Sequence, residues 1–152
     1  EGAAAVLWMS EERATELGLR PRARIVKGVV VGADPYYLLD GPIDAPREIL
    51  KKTGMAIDDF DLIEINEAFA VQVLSVLKLL EIDQSRVNTR GGAIALGHPL
   101  GASGARISVT LLHRMKSSGA RLGLATLCVG QGQGVATIYE NLQDPAPDQD
   151  DS

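Results

Sequence analysis

Leu122-Gly123-Leu124-Ala125-Thr126-Leu127-Cys128-Val129-Gly130-Gln131-Gly132-Gln133-Gly134-Val135-Ala136-Thr137-Ile138-Tyr139 carries the chain's only cysteine between an apolar run and three alternate glycines. Gly130-x-Gly132-x-Gly134 invites a dinucleotide-binding reading. That reading needs a helix after the glycines, with its N-terminus facing a pyrophosphate. Val135 to Tyr139 is a strand pattern instead. The stretch is therefore two strands, Leu122 to Val129 and Val135 to Tyr139, joined by a glycine turn. Glycine directly after a strand allows backbone N–H groups to converge on one point. Two readings of Cys128 stay open on these residues. One is a small buried core residue, since free cysteine is among the most buried types. The other is a thiol beside converging donors that stabilise a thiolate or a developing oxyanion.

Thirty residues upstream lies Gly91-Gly92-Ala93-Ile94-Ala95-Leu96-Gly97-His98-Pro99-Leu100-Gly101-Ala102-Ser103-Gly104. It holds one of the two histidines among five glycines and a proline. His98 is either a satisfied loop histidine or a base whose ring is fixed by Gly97 and Pro99. The loop precedes a helix but lacks the Lys-Ser/Thr of a phosphate loop. A His and a Cys on glycine-built loops point to acyl or thiol chemistry. Metal binding is not expected: His98, His113 and Cys128 stand fifteen apart and match no zinc spacing. His113, beside Arg114 and Lys116, reads as a surface residue.

The remaining elements set these loops in an α/β frame. Ala3 to Met9 reads as a buried strand. Ser10 caps a helix with acids in its first turn, ended by Gly18. Arg24 to Val31 is a strand, and Asp34 to Pro42 a loop. Ala45 to Thr53 is a helix closed by Gly54, and Asp61 to Ile65 a strand. Asn66 is placed to cap a helix over Glu67 to Leu80, although its amide could equally orient a water. That helix carries more apolar surface than one stripe, so it is expected to be covered on more than one side. Ala105 to Ser117 is a further helix, ended by Gly119. Any site would sit in the loop before the last two strands and at the strand ends facing it.

The totals fit one domain of 152 residues with 45% hydrophobic residues, enough for a real core. No apolar stretch reaches the length of a membrane span. A single cysteine excludes an internal disulfide and fits a reducing compartment. Four of the twenty acids follow Leu142, leaving 15 basic against 16 acidic side chains in the body. Nothing there forms a nucleic-acid footprint. Residues 143–152 are expected to be an acidic, disordered tail. Glu1 stands where a start Met would be, so the chain is expected to begin inside a longer protein, with no signal peptide and no secretion.

Three segments together are far more specific than any alone. Asn66-Glu67-Ala68-Phe69-Ala70, Gly91 to Pro99 and Cys128-Val129-Gly130, in this order and spacing, resemble the C-terminal half of a thiolase. The resemblance runs from about Gly2 through Asn141. It includes Gly32-Ala33-Asp34-Pro35, Gly41-Pro42-Ile43 and Gly119-Ala120-Arg121. It implies a thiolase-like domain over residues 1–142, with a mixed five-stranded sheet and helices on both faces. It implies an acyltransferase that makes or thiolytically cleaves 3-ketoacyl-CoA by Claisen chemistry. The nucleophilic cysteine of such an enzyme lies in the N-terminal half, absent here, so the isolated domain is expected to be inactive. His98 matches the histidine that activates that cysteine and donates to the thioester oxygen. Asn66 matches the asparagine that holds a water in the same oxyanion hole. Cys128 matches the acid/base cysteine, and Gly130 the glycine whose N–H helps form the other oxyanion hole. Related decarboxylating condensing enzymes carry histidine where Cys128 stands, which disfavours a ketoacyl synthase. A non-catalytic thiolase-like assembly module is the remaining alternative.

Implied partners are acyl-CoA or CoA as substrates, the N-terminal half, and further copies in a dimer or tetramer; no covalently bound cofactor is implied. Such enzymes are cytoplasmic in bacteria and mitochondrial or peroxisomal in eukaryotes. One departure stands out: Gln131 occupies a position where the family usually has a glycine.

Overall fold

The two strands and their glycine turn lie in the middle of the sheet. In the computed structural model, which describes residues 2–143, β3 (Leu122–Val129) pairs antiparallel with β4 (Gln133–Asn141). β1 (Ala23–Gly32) adds to the far side of β4, also antiparallel. β2 (Leu62–Ile65) runs parallel to β3, giving the order β1-β4-β3-β2. The sheet is mixed, as expected, but has four strands rather than five.

The missing strand is Ala3 to Met9. It pairs with no strand and is largely exposed rather than buried. Trp8 stacks on Tyr139, ring centroids 6.3 Å apart, so side-chain packing meets part of the run's apolar demand without a backbone ladder. An apolar run of this length reads the same in either case.

Helices cover both faces. Along β3 the side chains alternate, as a strand requires. Leu122 and Leu124 join Ile43, Ile49, Ile63, Ile65, Val76 and Ile138 in the larger core. That layer is roofed by α2 (Gly41–Thr53) and α3 (Ala70–Leu79). Ala125 joins Leu62, Ile107, Leu111 and Met115 beneath α5 (Ser103–Ser118). A short α1 (Glu11–Glu16) is capped by Ser10 Oγ, which accepts from the Arg13 N–H at 3.2 Å. The expected tail beyond Gln143 lies outside the described residues.

Two helices start elsewhere than the sequence pattern says. α2 begins at Gly41, four residues before Ala45. Gly41-Pro42 reads as a turn, but proline suits a first helical turn, where its missing N–H is not needed. Gly41 lies backbone-to-backbone against Gly134, and a Cβ on either would overlap the other's main chain. α3 begins at Ala70 with Phe69 in the capping position, so Asn66 is not its N-cap. The Asn66 N–H instead donates to Thr126 O at 3.0 Å, carrying the β2–β3 pairing one residue further.

Candidate active site

Asn66 directly follows β2 at the carboxyl end of the parallel pair, and its side chain is fully buried. His98 follows α4 (Ala93–Leu96), a single helical turn inside the glycine-rich run that the sequence pattern did not reveal. The two meet: Asn66 Nδ2 lies 3.3 Å from His98 Nε2. The other ring nitrogen, Nδ1, lies 2.6 Å from Ser103 Oγ. Ser103 is buried at the start of α5, and its hydroxyl donates to Pro99 O at 3.1 Å. A serine has one hydrogen to give. With that hydrogen on Pro99 O, Ser103 accepts from His98 Nδ1–H, and Nε2 keeps its lone pair for the Asn66 amide. Both contacts therefore ask for the same neutral ring, protonated at Nδ1.

Arg106, one turn along α5, donates from Nη2 to Asn66 Oδ1 at 3.4 Å. It lines a 280 Å³ pocket with Leu96, Gly97, His98, Pro99 and Ala102. Glu64, on β2, is buried. Burial pushes its carboxyl up to about 7; the Arg106 charge pulls down against this and the Glu67 charge adds to it.

Glu67 ties the His98 loop to the end of β2. Its carboxylate accepts from Asn88 Nδ2 at 2.9 Å and from the Ile94 N–H at 3.0 Å. Asn88 in turn holds Ile65 by both its N–H and its carbonyl, each at 2.8 Å. Gly92 lies so close to the Glu67 carboxylate that a Cβ there would overlap it. Sequence reasoning missed Ser103, Arg106, Glu64, Asn88 and the role of Glu67. The available signal was thin: a serine and an arginine at α5's start, and two acids flanking Asn66.

Cys128 sits near the end of β3, half-buried and free, opposite Gly134 on β4. Burial raises its thiol above the ordinary range. Strand alternation puts it on the Leu124 face, whereas Asn66 continues the Glu64 face. Among the described residues no hydrogen bond joins Cys128 to His98 or Asn66. Gly130 is exposed, with open space where a Cβ would stand. Gln131 adopts φ 69°, a left-handed conformation that glycine reaches without strain. Gln131 is itself exposed. His113 is exposed too, as its charged neighbours imply.

Residues 19–141 match the family described as thiolase, C-terminal domain. The chain belongs to the thiolase family. It is 56% identical over 146 residues to a 3-ketoacyl-CoA thiolase of Citrobacter koseri, covering 94% of this chain and 38% of that relative. A 3-ketoacyl-CoA thiolase of Vibrio parahaemolyticus is 54% identical over 143 residues, covering 92% and 37%. Among solved structures, the Bacillus anthracis acetyl-CoA acetyltransferase superposes with a TM-score of 0.85 at 51% identity, over 88% of this chain and 34% of that one. The human mitochondrial 3-ketoacyl-CoA thiolase gives 0.86 at 44% identity, over the same shares. The thiolase domain described here thus spans a little over a third of the relatives' length.

Proposed function

We propose that this chain supplies one wall of the active site of a thiolase that makes or cleaves 3-ketoacyl-CoA, and that it is inactive without an N-terminal half. The observation that carries the reading is the His98 ring held at both nitrogens, Nδ1 2.6 Å from Ser103 Oγ and Nε2 3.3 Å from the Asn66 amide. With the ring hydrogen on Nδ1, the Nε2 lone pair that faces the Asn66 amide can take a proton from a neighbouring thiol. Once protonated, it and the Asn66 amide, bridged by a water, can both donate toward a single thioester oxygen.

In the cleavage direction the nucleophilic thiol, from the other half, gives its proton to His98 Nε2. The thiolate adds to the 3-keto carbonyl, and the bond between C2 and C3 breaks. The electron pair leaves as a thioester enolate, whose charge the aimed donors offset. The enolate's C2 then takes the Cys128 S–H proton, releasing the shorter thioester. Cys128 recovers a proton from the incoming CoA thiol, which displaces the acyl group from the nucleophile. Burial keeps Cys128 in its S–H form, the form this direction uses first. Gly130, just past Cys128, is the proposed N–H donor of the second oxyanion hole.

The uncovered surface of α3 supports a missing partner. Phe69, Val71 and Leu74 are 59%, 67% and 58% exposed, on a helix whose other side lies in the core. That face is the proposed seat of the N-terminal half, the whole assembling as a dimer or tetramer. Thiolysis of a 3-ketoacyl-CoA tests the reading: the chain alone should be inert, and co-expression with a thiolase N-terminal half should restore turnover. Sustained turnover by the chain alone would overturn it.

A further inference from the structure

We infer that Arg106 is a positioning residue for this site: its guanidinium fixes the Asn66 amide with the nitrogen toward His98, and so backs the Ser103 contact in keeping the His98 proton on Nδ1. The consequence for turnover rests on the functional reading above; the proton placement does not.

A guanidinium only donates. Arg106 Nη2, 3.4 Å from the Asn66 side chain, therefore demands the amide oxygen on its side. Rotating the amide by half a turn would set its NH2 against the guanidinium, donor against donor. It would also set Oδ1 against His98 Nε2, which would then need a hydrogen. The Ser103 contact already claims the hydrogen at Nδ1, because the Ser103 hydroxyl is spent on Pro99 O. A neutral ring has one N–H and cannot serve both. With Arg106 in place the bonds run in one sense, from Arg106 to Asn66, His98, Ser103 and the Pro99 carbonyl. Without it only the Ser103–Pro99 bond opposes the reversed chain, in which the Ser103 hydroxyl turns to donate to Nδ1 and Nε2–H donates to Asn66 Oδ1.

The surroundings hold Arg106 there for this one contact. Its Nε and Nη1 are buried without hydrogen-bond partners. Glu64 is buried on β2, on the sheet face that α5 covers, near enough for the two side chains to influence each other's charge. The guanidinium is thus held by packing while its one directional bond goes to Asn66. A lysine would keep the charge but lose the fixed planar fork.

The test reads the protons directly. Two histidines are present, and His113 is exposed, so the ring nitrogens of His98 are assignable by long-range proton–nitrogen NMR on the full chain at mildly alkaline pH. The native chain should show His98 as the Nδ1–H form. Arg106→Met should raise the Nε2–H form severalfold, with Nδ1–H still favoured by the Ser103 contact. Arg106→Gln, whose amide can either donate or accept, should shift in the same direction. A native-like Nδ1–H pattern in a folded Arg106→Met or Arg106→Gln chain would overturn the inference. In the enzyme assembled from both halves, either variant should lower kcat about tenfold and leave KM for the CoA thioester within twofold. A loss confined to KM would overturn the positioning role. Absence of turnover in the unsubstituted assembly would count against the thiolase reading alone, with the NMR result still deciding Arg106.

Discussion

The His98 loop and the Cys128 turn lie near one end of the sheet but are held there by different means. The loop is tied by side chains: Glu67 to Ile94 and Asn88, Ser103 to His98, Arg106 to Asn66. The turn is tied by main chain: the β3–β4 ladder runs up to Val129 and Gln133, and Gly134 lies against Gly41. A side-chain network can set a proton or an amide orientation, and single substitutions can unset it. A backbone clamp fixes where Cys128 stands without touching its sulfur, and only a change of space breaks it. The difference suits the proposed roles. A base needs a chosen tautomer, whereas a thiol that both gives and takes a proton needs placement and a low-dielectric setting.

The largest predicted effect probes the charge beneath the side-chain network. Glu64, ordinarily at 4.5, titrates at about 7 when folded, so the folded chain favours its neutral form. The associated stability is full below pH 4.5 and is lost as pH rises through about 7. Glu64→Gln escapes that loss, so urea unfolding above this window should find it more stable than the native chain, by about 3 kcal/mol. The two should converge as pH falls to 4.5. A gap independent of pH would remove the charge from this side of the comparison.

Next comes the backbone clamp. Gly134→Ala puts a Cβ into the Gly41 main chain, where neither partner can rotate away. A cost of about 2–3 kcal/mol in unfolding free energy is expected from such overpacking. A negligible cost would mean that the ladder alone holds the Cys128 turn.

Glu67→Ala should cost about 2 kcal/mol, since it strands the Asn88 and Ile94 donors that its carboxylate accepts. Amide hydrogen exchange at Ile94 should quicken while that of Val135, in the β4 ladder, stays slow. Equal acceleration of both would erase the distinction between the two regions. Ser103→Ala should be mildest, at about 1 kcal/mol for one neutral hydrogen bond. Its signature is the His98 ring, whose preference for Nδ1–H should weaken and then rest on the Asn66 amide alone.

Most of the frame was legible because it rests on local rules. Ser10 announces α1, Gly54 and Gly119 close α2 and α5 in left-handed conformations, β-branched runs mark β1 and β4, and an apolar run marks β3. Misreadings arose where distant contacts decide. Ala3 to Met9 is apolar enough for a strand but finds a stacking partner in Tyr139 rather than a sheet edge. Asn66 has the chemistry of an N-cap, yet it is held by Thr126, sixty residues away in the chain. His98, Asn66 and Cys128 were visible as types in glycine-rich or strand-end settings. The groups that orient them were not: Ser103 and Arg106 act through the meeting of α5 with the end of β2. No local pattern encodes that meeting.

The central claim assigns α-proton transfer to Cys128 and leaves acyl attachment to a cysteine of the other half. Incubating the two-half enzyme with acetyl-CoA in deuterium oxide separates these steps. With Cys128→Ala, the acyl group should still appear on the nucleophile of the other half, followed by mass spectrometry, at a rate lowered by the loss of the Cys128 proton for the departing CoA thiolate. Deuterium uptake into the acetyl methyl group should fall by about a hundredfold or more, the scale of losing a positioned acid/base. Exchange persisting at the native rate, or an acyl group found on Cys128 of the native chain, would contradict the account.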